Sequence, residues 1–220
     1  MQRTALVTGA DRGLGLALVE GLLDRGWRVF AGQYMAAWPA LSELAERHSN
    51  ALTIVPLDVG SKASVRAAAV AVTREGDHLD MIISNAGVSS PAMKRRISEP
   101  QDYEEMHRLY DVNTLGALRV IEAFLPLMAQ GGFKRLCFVS SEAGSITAAR
   151  RTSWYSYCMS KAALNMAVKI MFNDLHPEGY TFRLYHPGWM RTYMSGKKGT
   201  AADLEPEDAA AKALPIFLNA

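Results

Sequence analysis

A tyrosine and a lysine four residues apart, in Tyr157-Cys158-Met159-Ser160-Lys161, are the side chains best suited by type and spacing to do chemistry. On a helix, positions i and i+4 share a face with Cβ atoms about 5–6 Å apart. That spacing holds an ammonium beside a phenol. A free phenol titrates near pH ~10, and a fixed neighbouring cation favours the phenolate and lowers that value. A phenol tuned in this way can act as general acid or base at a carbonyl. Tyr155 is the competing tyrosine, but position 159 is methionine, so it has no lysine one turn on. By itself the pattern is ordinary on surface helices; a second signal far upstream gives it weight.

That signal is a glycine-rich turn. Arg3 to Thr8 is a short apolar run, followed by Gly9-Ala10-Asp11-Arg12-Gly13-Leu14-Gly15 and then by Leu14, Ala17, Leu18, Gly21 and Leu22 at helical spacing. The order is strand, tight turn, helix. Glycine permits positive φ and lets a ligand approach the backbone. The start of the helix adds unpaired N–H groups and a partial positive charge suited to a pyrophosphate. The spacing is G-x-x-x-G-x-G rather than the general dinucleotide G-x-G-x-x-G.

Elements that could hold these two sites together alternate along the chain. Strands are predicted near 3–8, 28–32, 52–56, 79–84, 134–140 and 181–186, and helices near 14–25, 39–48, 62–75, 101–129, 155–174 and 206–218. Strict alternation implies an α/β fold: three layers, a doubly wound parallel sheet of about six strands with helices on both faces. Short apolar strands such as Val29-Phe30-Ala31 suit a sheet buried on both sides. With 220 residues, 49 % of them hydrophobic, residues 1–220 are expected to form one domain.

Together, Thr8-Gly9-Ala10-Asp11-Arg12-Gly13-Leu14-Gly15 and Tyr157-x-x-x-Lys161 resemble the short-chain dehydrogenase/reductase family in its classical form. Four further segments match in chain order. They are Ser84-Asn85-Ala86-Gly87, Asn113 in Asp111-Val112-Asn113-Thr114, Val139-Ser140-Ser141-Glu142-Ala143-Gly144, and His186-Pro187-Gly188-Trp189-Met190-Arg191-Thr192. Gly144-Ser145-Ile146 and Trp154 to Tyr157 are most similar to the small carbonyl-reductase branch of C-factor-like and sniffer-like proteins. The resemblance implies a Rossmann fold and hydride transfer between a nicotinamide coenzyme and a small carbonyl or secondary alcohol. It also implies roles. Tyr157 is the general acid or base, Lys161 lowers its pKa and binds the nicotinamide ribose, Ser141 donates to the substrate oxygen, and Asn113 holds a water beside Lys161. Ser141 is preferred to Ser140 as the second of the pair, although the interval to Tyr157 is longer than usual. The extra residues, Thr147 to Ser153, are expected to bulge over the pocket.

For the coenzyme, the resemblance places Thr8, Gly9, Arg12, Gly13, Leu14 and Gly15 at the pyrophosphate and adenosine ribose. Asp58 and Val59 fall at the adenine, Asn85, Ala86 and Gly87 beneath the cofactor, Pro187 and Gly188 in a turn at the cofactor, and Thr192 at the carboxamide. An NAD-specific site usually carries an acid at the end of the second strand; that position is Gln33 here, and Arg12 stands where NADP-preferring relatives often place a cation. Tyr34 stands where many of them carry an arginine. The balance favours NADP(H) over NAD(H). The family usually adds one more strand after the helix near Pro206; the chain ends at Ala220, so that strand is expected to be missing and 181–186 to lie at an edge.

Composition narrows the alternatives. A net charge of +2, with only Lys94-Arg95-Arg96 and Lys197-Lys198 as basic tracts, makes no case for nucleic acid or a membrane surface. No 18-residue apolar run stands out and a strand follows the N-terminus at once, so neither a span nor a signal peptide is expected. Cys137 and Cys158 fall in a predicted strand and helix, which points to reduced thiols and a cytoplasmic setting. No His/Cys spacing suggests a metal. His48, His78, His107 and His176 read as surface residues and His186 as support for the P-G turn. Apolar faces on 101–129 and 155–174 point to a homodimer through these helices, with a tetramer as a further state open to it. The other classes considered are an inactive nucleotide-binding sensor or scaffold and an epimerase-like enzyme. An intact set of Asn113, Ser141, Tyr157 and Lys161 argues against the first, and the short stretch after Pro187 against the second. Val88 to Met93, Ser145 to Tyr155 and Trp189 to Lys198 are expected to wall the pocket, with Ser195 to Leu204 as a small lid. Arg150, Arg151 and Arg191 are read as facing solvent rather than an anionic substrate.

Overall fold

The computed structural model describes residues 2–194, 199 and 202–219. Lys197 and Lys198, and the part of the expected lid at 195–198 and 200–201, lie outside the described residues. Six strands form one all-parallel sheet: β1 (Thr4–Val7), β2 (Arg28–Gln33), β3 (Leu52–Pro56), β4 (Met81–Ser84), β5 (Arg135–Val139) and β6 (Thr181–Tyr185). Their order is β3-β2-β1-β4-β5-β6, with β6 at an edge as expected. Among the described residues seven α-helices connect and follow them: α1 (Gly13–Leu23), α2 (Ala40–Arg47), α3 (Lys62–Glu75), α4 (Tyr103–Tyr110), α5 (Gly116–Gln130), α6 (Tyr155–Leu175) and α7 (Pro206–Leu218).

Alternate strand residues enter opposite cores, the period of two that an extended chain imposes. Ala5, Val7, Met81, Ile83, Cys137 and Val139 pack with α1, α2 and α7. Leu6, Ile82, Leu136 and Phe138 pack with α3, α5 and α6. This is why the central strands read as unbroken apolar runs. Caps fix the helix starts: Ser61 Oγ accepts the Ser64 N–H at α3, and Asp102 accepts the Glu105 N–H at α4. Glu205 and Asp208 form a capping box at α7, with Pro206 in its first turn.

The predicted helix 101–129 is a correction. It is two α-helices joined by a π-helical turn, Asp111–Leu115, in which Asn113 sits. Such turns insert a residue and rotate the helix face, often at functional sites. By length and composition Tyr103–Gln130 could cross a membrane, but half of its apolar stretch is buried inside the protein. His78 is a second correction. It is buried, 2.6 Å from Asp77 and 3.4 Å from Asp80, whose carboxylate also accepts the N–H groups of Thr4, Gly132 and Phe133. This cluster ties the start of β1 to the α5–β5 loop at the end of the sheet away from the glycine turn.

Candidate active site

Strand order reverses between β1 and β4, and in doubly wound sheets ligands bind outside the carboxyl ends of the strands at that point. The glycine turn and the Ser84-Asn85-Ala86-Gly87 turn meet there. Thr8 Oγ1 accepts the N–H groups of Asn85 and Ala86, each at 3.0 Å. The Asn85 amide donates to the carbonyls of Thr8 and Gly9 at 2.9 and 3.0 Å. Gly9 and Gly13 have φ of 62° and 58°. A Cβ on Gly15 would lie 2.1 Å from the Gly9 carbonyl oxygen, so the turn closes only with glycine there. α1 begins with no side-chain cap and no acid in its first turn. Its first N–H groups and positive dipole end therefore face the crevice without a competing anion, which is the donor set a pyrophosphate requires.

Asp11, not singled out by the sequence analysis, fixes the far side of this turn. It is buried, and its Oδ1 accepts the N–H groups of Tyr34 and Met35 at 2.8 and 2.9 Å. Its partners lie 23 and 24 residues along the chain, beyond the reach of a local Asx turn, so no spacing signal marked it. Arg12 lies over the Trp38 ring, 4.7 Å from its centroid, and donates to Met35 Sδ. Gln33 ends β2, where its carbonyl accepts the Leu57 N–H. Asp58 Oδ1 accepts the Gly60 N–H at 2.9 Å. Leu14 and Val59 turn their side chains into the core, which leaves their backbone for a ligand. Gly188 has φ of 82°, and Thr192 lies against Gly13. Pro187 precedes Gly188 in that turn.

The catalytic candidates converge at the end of β5. Lys161 Nζ is buried, donates to the Val139 carbonyl at 3.0 Å and lies 5.9 Å from the Tyr157 ring centroid. Burial lowers its pKa from 10.5 to about 8. Ser140 Oγ donates to Asn165 Oδ1 at 2.6 Å, and Asn165 in turn donates to the Gly144 carbonyl. Ser140 is thus taken up by scaffolding. Ser141 caps the next 3-10 turn by accepting the Ala143 N–H at 3.1 Å, and its hydroxyl favours the phenolate of Tyr157.

Tyr157 departs from expectation in one respect. Its pKa is raised, chiefly by burial, with the Ser141 hydrogen bond pulling it down and Glu142 and Cys158 pushing it up. The ammonium of Lys161 is directed at the Val139 carbonyl, so it does not offset that burial. Asn113 is also more occupied than expected. Its Oδ1 accepts the Val88 N–H at 2.8 Å, and its amide donates to the Val88 carbonyl and to Ser160 Oγ. Ser160 Oγ donates to the Tyr157 carbonyl at 2.8 Å. Asn113 therefore anchors the strand of chain after Gly87 to the helix that carries Tyr157. Gly87 passes between them: a Cβ there would lie 3.3 Å from Asn113 Oδ1 and 3.8 Å from Lys161 Nζ.

The longer segment before Tyr157 folds back on the site. Arg151 makes a two-pronged ion pair with Glu142 at 2.5 and 3.0 Å and stacks on Trp154. Trp154 takes a left-handed φ of 73°, donates to the Met93 carbonyl and meets Tyr157 edge-on.

A doubly wound sheet, an uncapped glycine-turn helix, and half-buried Tyr157 and Ser141 beside the buried Lys161 at one crevice define a nucleotide-dependent oxidoreductase of the Rossmann class. The family model described as short chain dehydrogenase matches residues 3–203. The chain belongs to that family and is an NAD(P)-dependent oxidoreductase of the carbonyl-reductase type. It is 45 % identical over 122 residues to the C-signal protein of Myxococcus xanthus, covering 56 % of this chain and 72 % of that one. It is 35 % identical over 210 residues to 1-hydroxy-2-glutathionyl-2-methyl-3-butene dehydrogenase of Rhodococcus sp., covering 94 % and 87 %. The NADPH-bound carbonyl reductase from chicken fatty liver superposes with a TM-score of 0.87 at 31 % identity, covering 100 % of this chain and 92 % of that one. Carbonyl reductase Sniffer of D. melanogaster gives 0.90 at 26 %, covering 100 % and 93 %.

Proposed function

We propose that the protein reduces a neutral, apolar ketone or aldehyde with NADPH, Tyr157 delivering the proton. The observation that carries this reading is the convergence of half-buried Tyr157 and Ser141 with the buried amine of Lys161, which lies 5.9 Å from the Tyr157 ring centroid, at the open end of the glycine-turn crevice. A bound nicotinamide supplies the hydride. Ser141 donates to the carbonyl oxygen and stabilises the negative charge that develops on it. Tyr157 releases its proton to that oxygen. Burial keeps the phenol protonated in the coenzyme-free protein, so the proton is on Tyr157 when the oxygen gains charge. Lys161 then steadies the phenolate and holds the ribose, while Asn113 keeps Gly87, Val88 and α6 in register. In oxidation the same groups act in reverse. A panel of neutral carbonyl compounds, followed by the loss of nicotinamide absorbance, tests the reading.

The cations around the mouth argue for a neutral substrate. Among the described residues Arg151 is paired with Glu142 and Arg191 with Glu205, and Arg150 donates to the carbonyls of its own loop. Ile146, Trp189 and Met194 present exposed apolar surface beside them, as a small-molecule site requires.

Arg12 supports NADP(H) over NAD(H). No carboxylate pairs with it among the described residues, and Gln33 offers no charge to repel a 2′-phosphate. Replacing Arg12 with alanine is expected to raise the Michaelis constant for NADPH at least about tenfold more than that for NADH, the scale of a lost charged hydrogen bond. Equal changes for both coenzymes refute the preference.

A homodimer is the expected assembly. On α6, Met159, Met166 and Ile170 recur at helical spacing on one face and are 60, 63 and 59 % exposed. A second copy of the chain packed on that face covers them. Light scattering at micromolar concentration is expected to give a dimer for the wild type and a monomer for Met166→Asp. A monomeric wild type contradicts the assignment. Free thiols at Cys137 and Cys158 fit a reducing, cytoplasmic setting.

A further inference from the structure

Beyond the residues of the hydride-transfer site, one side chain joins two walls of the coenzyme crevice. Trp38 stands in the loop between β2 and α2, on the side where the second strand meets the adenosine ribose. It carries the Arg12 guanidinium over its ring at 4.7 Å. It also packs edge-to-face on Tyr193, at 4.8 Å between centroids and 68° between planes. Tyr193 belongs to the segment after β6. That segment touches the glycine turn through Thr192 against Gly13, and the turn after β4 through Ser89 Oγ, which donates to the Met194 carbonyl at 3.4 Å. It is pinned at its base by the bridge between Met190 and Leu204 and by the Arg191–Glu205 ion pair. Residues 190–194 therefore run from one wall of the crevice to the other, and the Trp38–Tyr193 contact fastens the adenosine side.

Arg12 has an unusual setting for a surface arginine. Its neighbours are a tryptophan face and a thioether rather than a carboxylate. Asp11, the nearest acid in sequence, is directed the other way, onto the N–H groups of Tyr34 and Met35. That hydrogen bonding keeps the Trp38 loop against the turn without neutralising the guanidinium. Aromatic support of this kind holds a planar cation in place while leaving its N–H edge free for an anion.

We propose that Trp38 is a second coenzyme-determining residue: one contact holds Arg12 where a 2′-phosphate would meet it, and the other latches residues 190–194 over the bound coenzyme. The first half rests on the assignment of NADP(H) to Arg12; the second concerns either coenzyme. Opening the crevice for release requires separating Trp38 from Tyr193. The two contacts are separable by substitution.

The test is stopped-flow measurement of NADPH and NADH dissociation, with equilibrium affinities from nicotinamide fluorescence. The variants are Trp38→Leu, Tyr193→Ala and Tyr193→Phe. Tyr193→Ala is expected to speed the release of both coenzymes about three- to tenfold, the worth of an aromatic pair. Tyr193→Phe keeps the ring and should release both at the wild-type rate. Trp38→Leu should speed release similarly and also weaken NADPH relative to NADH about fivefold, through the loss of cation–π support. Should Trp38→Leu not fold, Trp38→His, with a poorer cation-binding ring, is measured for the same ratio. Unchanged release in Tyr193→Ala, or equally fast release in Tyr193→Phe, overturns the latch. An unchanged NADPH-to-NADH affinity ratio at position 38 overturns the support of Arg12. If Arg12→Ala itself leaves that ratio unchanged, the NADP(H) assignment fails, whereas the Tyr193 result still decides the latch.

Discussion

Tyr157→Phe should lower kcat/KM for carbonyl reduction about a thousandfold, the usual worth of a positioned general acid, while the chain still folds and still binds coenzyme. The substitution removes one oxygen and leaves the ring that meets Trp154 edge-on. The effect on turnover is large because Tyr157 is the acid the site places beside Ser141 and Lys161. Tyr155 opens α6 on a different face, and Ser141 is itself a donor tied to the Ala143 N–H. Steady-state kinetics with a fluorescence titration of NADPH separates lost chemistry from lost binding. Unchanged kcat/KM would remove Tyr157 from the mechanism.

Lys161→Met should abolish turnover and at the same time stabilise the coenzyme-free protein at neutral pH. The amine is buried and, among the described residues, has one acceptor, the Val139 carbonyl. Its pKa falls from 10.5 to about 8, so the folded state holds this proton less tightly than the unfolded chain. Below about pH 8 both states are charged and the penalty is present in full, about 3 kcal/mol from the shift. Between about pH 8 and 10.5 the folded state loses its proton first, stability rises with pH, and the penalty disappears. An apolar side chain of similar length avoids the penalty altogether. Thermal melts of coenzyme-free protein should therefore show Lys161→Met above wild type at pH 7, with the gap closing toward pH 10. A variant less stable than wild type at pH 7 would mean that the ammonium supports the fold.

The parts of this molecule legible in its sequence are those set by short-range rules. Strands at 3–8 and 134–140 appear as β1 and β5 because a sheet covered on both faces needs continuous apolar runs. The glycine turn was legible because the close approach of Gly15 to the Gly9 carbonyl tolerates no Cβ. Tyr157 and Lys161 share a site because one helix carries both. What escaped depends on contacts between distant segments. The π-helical turn at Asp111–Leu115 has no compositional mark; it accompanies the bonding of Asn113 to Val88 and Ser160. Asp11 bridges to Tyr34, Trp38 to Tyr193, and His78 to Asp80, and none of these partners could be read from spacing. The raised pKa of Tyr157 has the same origin. Spacing brings Lys161 near, but the fold decides how deeply the phenol is buried and which way the ammonium is directed.

Transfer of deuterium from NADPH labelled at nicotinamide C4 to a neutral ketone tests the account most directly. Wild-type protein should give an alcohol carrying one deuterium on its carbinol carbon, at a rate that collapses in Tyr157→Phe. Tight coenzyme binding with no label transferred to any ketone or aldehyde tried, or equal transfer by wild type and Tyr157→Phe, would contradict it.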